Sequence, residues 1–77
     1  MNTTVNQTLD ARNMNCPLPI LKTKKALNSM QAGDLLGITA TDPGSVKDFQ
    51  SFCDQTGNTL ISSESGNGEY SFVIQKS

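Results

Sequence analysis

The sequence predicts an α+β protein: a two-layer α/β sandwich in which two helices cover one face of a mixed four-stranded sheet. Three observations carry this. Stretches of period two and period 3.6 follow one another in the order βαβαββ. Glycine, proline, asparagine or aspartate stands at most of the junctions. The chain has 77 residues, no internal repeat and no linker, so residues 1–77 are read as a single domain with one small core.

Residues 1–3 are expected to be a disordered tail. Residues 4–10 form the first strand, with Val5, Gln7 and Leu9 on one side. Residues 11–15 are a polar connection, in which Asn13 tolerates a left-handed backbone. Residues 17–30 are the first helix: Ile20, Thr23, Leu27 and Met30 share a face, with Leu21 and Ala26 beside it and Lys22 and Lys25 mainly off it. Gly33 stops that helix. Residues 35–41 form the second strand, with Leu36, Ile38 and Ala40 on one face, and Asp42-Pro43-Gly44 is a turn. Ser45 opens the second helix, and Asp48 three residues on makes a capping-box-like pattern. Val46, Phe49, Phe52 and Cys53 recur at helical spacing, and Thr56-Gly57-Asn58 closes the helix. Residues 59–64 and 70–75 are the last two strands, joined by a hairpin turn at Ser65-Gly66-Asn67-Gly68.

Composition excludes several function classes. The formal net charge is -1 and there is no Trp, so nothing points to direct nucleic-acid binding. No apolar run approaches the roughly 20 residues of a membrane-spanning helix. Residues 1–8 lack the basic and apolar regions of a signal peptide, so a cytoplasmic location without a membrane partner is expected. Two cysteines and no histidine cannot supply a four-ligand structural zinc site or a Cys–His nucleophile pair. No metal and no organic cofactor is expected.

The residue that stands out is Cys16, in the run Asn15-Cys16-Pro17-Leu18-Pro19. Proline is favoured in the first helical turn, where amides lack intrahelical partners. Cys16 is therefore read at or near the N-cap of the first helix, at the positive end of its dipole. That position favours the thiolate, the reactive form. The competing reading, a small buried apolar residue, suits Cys53 better, which lies mid-helix at the spacing of Val46 and Phe49. Phe49 and Phe52 are read as core. Four of the six basic residues, Arg12, Lys22, Lys24 and Lys25, flank Cys16 in sequence. Exposed lysines are screened, so Arg12, Lys22 and Lys25 are read as a surface for an acidic partner, against the alternative of a solvated helix face.

Leu9-Asp10-Ala11, then Cys16-Pro17-Leu18-Pro19, then Gln31-Ala32-Gly33-Asp34, Asp42-Pro43 and Phe52-Cys53 ahead of Gly57 resemble the pattern of the TusA, or SirA-like, family of sulfur carriers. The resemblance spans nearly the whole chain. It implies a βαβαββ sandwich and sulfur transfer, with Cys16 taking a sulfane sulfur as a persulfide and Pro17 and Pro19 holding its junction with the helix rigid. It also implies a donor protein, a cysteine desulfurase or a rhodanese. The acceptor it implies is a further relay protein, in tRNA thiolation, molybdenum-cofactor-related supply or sulfur oxidation. Three positions depart from the family or vary within it. Asn13 replaces the usual Gly, Asn58 stands where His is frequent, and Leu18 is more apolar than the acidic residue some members carry there, which bears on partner choice. Two rivals remain: a non-catalytic regulatory module that binds through the basic face of the first helix, and a thiol redox sensor, against which the lack of a nearby resolving cysteine counts.

Overall fold

The computed structural model describes residues 5–15 and 18–77. The expected tail over residues 1–3 lies outside them, as do Cys16 and Pro17. The elements are β1 (Gln7–Ala11), α1 (Leu18–Asn28), β2 (Leu35–Ala40), α2 (Ser45–Thr56), β3 (Thr59–Gly66) and β4 (Glu69–Gln75). The sheet order is β1-β2-β4-β3. β1 and β2 are parallel, with Ala11 opposite Ala40. β4 is antiparallel to both of its neighbours, β2 and β3. This is the predicted mixed sheet, with α1 over β1 and β2 and α2 over β3 and β4.

One face of the sheet makes the core. Leu36, Ile38 and Ala40 alternate along β2, and Phe72 and Ile74 along β4, all at most 2% exposed. From the helices Leu27, Phe49, Phe52 and Cys53 meet them. The rings of Phe49 and Phe72 lie with centroids 4.6 Å apart. Burying side chains of this size stabilises by about 1.5–3 kcal/mol each, which is how so short a chain holds two layers together. No helix is long and apolar enough to cross a membrane.

The turns follow from local chemistry. Asn67 and Gly68 both have positive φ, 53° and 77°, the two-residue turn that matches the twist of a hairpin. The strands therefore run on to Gly66 and Glu69, past the expected ends. α2 stops at Gly57, whose N–H donates to the Cys53 carbonyl at 2.9 Å.

Four local expectations are corrected. β1 begins at Gln7, because Leu35 donates its N–H to the side-chain oxygen of Asn6 at 2.8 Å, which takes the place of a ladder bond. Val5 does not share the face of Leu9; its methyl groups lie 3.6 Å from where a Cβ on Gly37 would stand, on the helix-free face. Leu21 is 54% exposed, since α1 buries Pro19, Thr23, Ala26 and Leu27 and Leu21 falls on the opposite side of that stripe. Ser45 does not cap α2. Gly44 holds the cap position with no side-chain bond, and the Ser45 hydroxyl is buried inside the first turn without a partner.

Candidate functional site

Two parallel strands followed by helices bring two loops to one end of the sheet. β1 leads through residues 12–17 into α1, and β2 leads through residues 41–44 into α2. The loops are tied: Asn13, at φ 63°, donates its N–H to the Thr41 hydroxyl at 2.8 Å. Asn tolerates this left-handed backbone where a branched residue would not. Met14 packs against the core. The residues on either side of Cys16 and Pro17 are joined directly, Leu18 donating its N–H to the Asn15 carbonyl at 2.9 Å.

α1 thus begins two residues after Cys16. Pro19 is buried and its carbonyl accepts the Thr23 hydroxyl at 2.8 Å, which satisfies the one fully buried hydroxyl on this helix. The first turn of α1 carries no acidic residue, so nothing of its own neutralises the positive end of its dipole.

The basic residues do not act as one group. Arg12 is held by carboxylates: its side chain meets Asp10 at 3.0 and 3.2 Å, its backbone N–H meets Asp10 at 3.0 Å, and its guanidinium lies 3.7 Å from Glu69. The hydrogen bonds from Arg12 hold the Asp10 carboxyl below its ordinary range. With two carboxylates against one guanidinium, this corner adds no net positive charge to the surface. Lys22, Lys24 and Lys25 are exposed. Lys22 and Lys25 rim a groove beside β1, and Lys24 lies on the other flank of α1, toward Phe52 and Lys76. Leu18 is 51% exposed, presenting an apolar side chain at the start of α1.

Cys53 stands as the contrast. It is 5% exposed, and burial, with the charge of Asp54 adding to it, pushes its thiol above the ordinary range. At neutral pH it is a protonated core side chain. Among the described residues no three His, Cys, Asp or Glu side chains come together to hold a metal ion.

Two parts of this site escape sequence reading. The Asp10–Arg12 pair is local, since Arg12 lies in the turn after β1 and an aspartate there bonds the N–H two residues on. Glu69 and Thr41 have no such mark, because Glu69 comes from β4 and Thr41 from the loop after β2.

Comparison with known proteins covers nearly the whole chain. The family model described as Sulfurtransferase TusA matches residues 7–76. The sulfur carrier protein TusA of Allochromatium vinosum is 56% identical over 72 residues, 94% of this chain and 95% of the relative. A relative from Neisseria meningitidis serogroup A is 47% identical over 70 residues, 91% of this chain and 95% of its own. The crystal structure of a SirA-like protein from Desulfitobacterium hafniense superposes with a TM-score of 0.77 at 27% identity, covering 90% of this chain and 95% of that one.

Proposed function

Since this chain belongs to the TusA family of sulfurtransferases, we propose that it carries sulfane sulfur on Cys16 as a persulfide and hands it to a cysteine of a partner protein. The observation that carries this reading is the start of α1: a helix of 11 residues beginning two residues past Cys16, with no acidic side chain in its first turn. An anion is stabilised at such an end. The other cysteine is the wrong one for the work, buried and with its thiol pushed up.

The reaction is two exchanges at sulfur. The Cys16 thiolate attacks the terminal sulfur of a donor persulfide. The new S–S bond forms on Cys16 as the donor's S–S bond breaks, and the donor cysteine leaves as its thiolate. An acceptor thiolate then attacks the outer sulfur of Cys16 and the Cys16 thiolate leaves. No net oxidation occurs in either step. Pro17 and Pro19, by restricting the unbound chain, reduce the entropy lost when the loop is engaged.

The donor we assign is a cysteine desulfurase or a rhodanese. The acceptor is a further relay protein in tRNA thiolation or related sulfur trafficking, in the cytoplasm, where thiols stay reduced. Leu18, Lys22 and Lys25 form the contact surface for these partners, with Arg12 at its margin. Lys22 and Lys25 are exposed and make no salt bridge among the described residues, and that feature favours a second reading, a regulatory module that binds through this face alone.

Intact mass after incubation with a cysteine desulfurase, cysteine and pyridoxal phosphate separates the two. One added sulfur atom is expected, lost in Cys16→Ser and kept in Cys53→Ser. No added sulfur from this donor, nor from a rhodanese with thiosulfate, would reject the persulfide reading in favour of the module.

A further inference from the structure

Strand β1 ends the sheet on one side, and among the described residues nothing pairs with its outer edge. Asn6 donates its N–H to the Leu35 carbonyl at 2.8 Å. Lys76 donates its N–H to the Asp34 carbonyl at 2.9 Å, so along β2 Leu36, Ile38 and Ala40 turn their backbone groups toward β4, and Leu35, Gly37 and Thr39 turn theirs toward β1. With Gln7 opposite Leu36, it is Gln7, Leu9 and Ala11 that bond to β2, while Thr8 and Asp10 turn their N–H and C=O groups outward. Soluble proteins usually blunt such an edge with lysine, proline or a bulge. β1 reads Gln-Thr-Leu-Asp-Ala and keeps an unbroken register, so it has none of the three.

α1 overhangs this edge and leaves an open groove of about 320 Å³, lined by Gln7, Leu9, Lys22, Lys25, Ala26 and Ser29. Leu9 and Ala26 give it an apolar floor. Lys22 and Lys25, three residues apart on α1, stand on its rim. The Ser29 hydroxyl is already spent on the Ala26 carbonyl at 2.9 Å.

We infer that this groove receives an extended acidic segment of a relay partner, which adds to β1 as a fifth strand. The backbone of the segment bonds to Thr8 and Asp10. Its alternate side chains, directed toward the helix, are carboxylates that meet Lys22 and Lys25. Both walls of the groove run to the reactive position, since β1 ends at Ala11 and α1 starts at Leu18. A strand bound there has one end at the Cys16 loop. The identity of the partner rests on the persulfide reading; the mode of docking does not.

The probe is a capped eight-residue peptide of alternating glutamate and valine, titrated into the ¹⁵N-labelled protein. The amides of Thr8 and Asp10 are expected to shift and to gain protection from exchange, while Gln7 and Leu9, already bonded within the sheet, hold. A lysine–valine peptide should not bind, and Lys22→Glu with Lys25→Glu should weaken the acidic peptide about tenfold. Thr8→Pro removes an outward N–H without breaking the ladder to β2, and should abolish binding. If that variant fails to fold, the double lysine variant decides. Absent binding, shifts confined to α2 or to the helix-free face, or an unchanged affinity in the double lysine variant would overturn the inference. Loading of the unmodified protein with inorganic polysulfide, read by mass, is measured alongside. Loading of Cys16 without peptide binding rejects the groove alone, and peptide binding without loading rejects the persulfide alone.

Discussion

The two helices begin at the same end of the sheet, each after a parallel strand and a loop containing proline, yet their first turns are built in opposite ways. α2 is furnished with its own anions. Asp42 accepts the Gly44 N–H at 3.0 Å through its side chain and the Ser45 N–H at 2.9 Å through its carbonyl. Carboxylate oxygens of Asp42 and Asp48 stand 3.6 and 3.8 Å from where a Cβ on Gly44 would be. α1 has no acid in its first turn, and a cysteine stands two residues ahead of it in the sequence. A helix that neutralises its own dipole is built for stability. One that leaves the positive end open is built to hold an anion that comes and goes. On the proposed persulfide role, the contrast divides the work between two similar β–loop–α units, α2 holding the core and α1 presenting the chemistry.

Removing the anions of α2 tests one side of the comparison. Asp42→Ala deletes a turn hydrogen bond and a favourable charge, and should cost about 1–2 kcal/mol in urea unfolding. Asp42→Asn, which keeps an oxygen acceptor, should recover more than half of that. Ser45→Ala should cost nothing or stabilise by up to about 1 kcal/mol, because the hydroxyl it removes is buried without a partner. A loss of about 1 kcal/mol in Ser45→Ala would instead mean that Ser45 caps the helix.

Giving α1 the acid it lacks tests the other side. Leu18→Asp places a carboxylate in the first turn, where it competes with the Cys16 thiolate for the same field. The Cys16 pKa should rise by about half a unit, read from the pH dependence of its reaction with a disulfide reagent, while the helix itself becomes slightly more stable. Added salt should shrink the rise. A Cys16 pKa that stays fixed in this variant would remove the first turn of α1 from the account of its reactivity.

The difference between the helices was only half legible in the sequence. Element order, strand faces and the core positions of Phe49, Phe52 and Cys53 could be read because each depends on a local period that burial enforces. The start of α1 was marked by its prolines, whose effect on the backbone is local too. The start of α2 was misread because Ser-x-x-Asp matches a capping pattern whichever residue holds the cap, and here the turn made by Asp42 shifts the cap to Gly44. The ion pair of Arg12 with Glu69 has no mark in the sequence, because Glu69 reaches it only once β4 is paired with β2. The bulge that leaves Ile61 45% exposed on β3 likewise has no local mark.

A last test concerns the bond that joins the two loops. Asn13 holds a left-handed backbone at φ 63° while donating its N–H to Thr41, so two separate requirements meet in one residue. Glycine meets the first without strain and keeps the N–H, so Asn13→Gly should change unfolding free energy by only a few tenths of a kcal/mol, its lower strain offset by the greater freedom of the unfolded chain. Valine keeps the N–H but not the conformation, and should cost about 1–2 kcal/mol. Thr41→Val keeps the shape of the second loop and deletes the acceptor, which should cost about 1 kcal/mol. If the tie serves only stability, sulfur loading by the Thr41 variant should match the parent at a temperature where both are folded. If it positions the loop that bears Cys16, loading should slow in Thr41→Val and remain at the parental rate in Asn13→Gly, which keeps the bond. A parental loading rate in Thr41→Val would show that the helix end, and not its link to the neighbouring loop, governs the reactive cysteine.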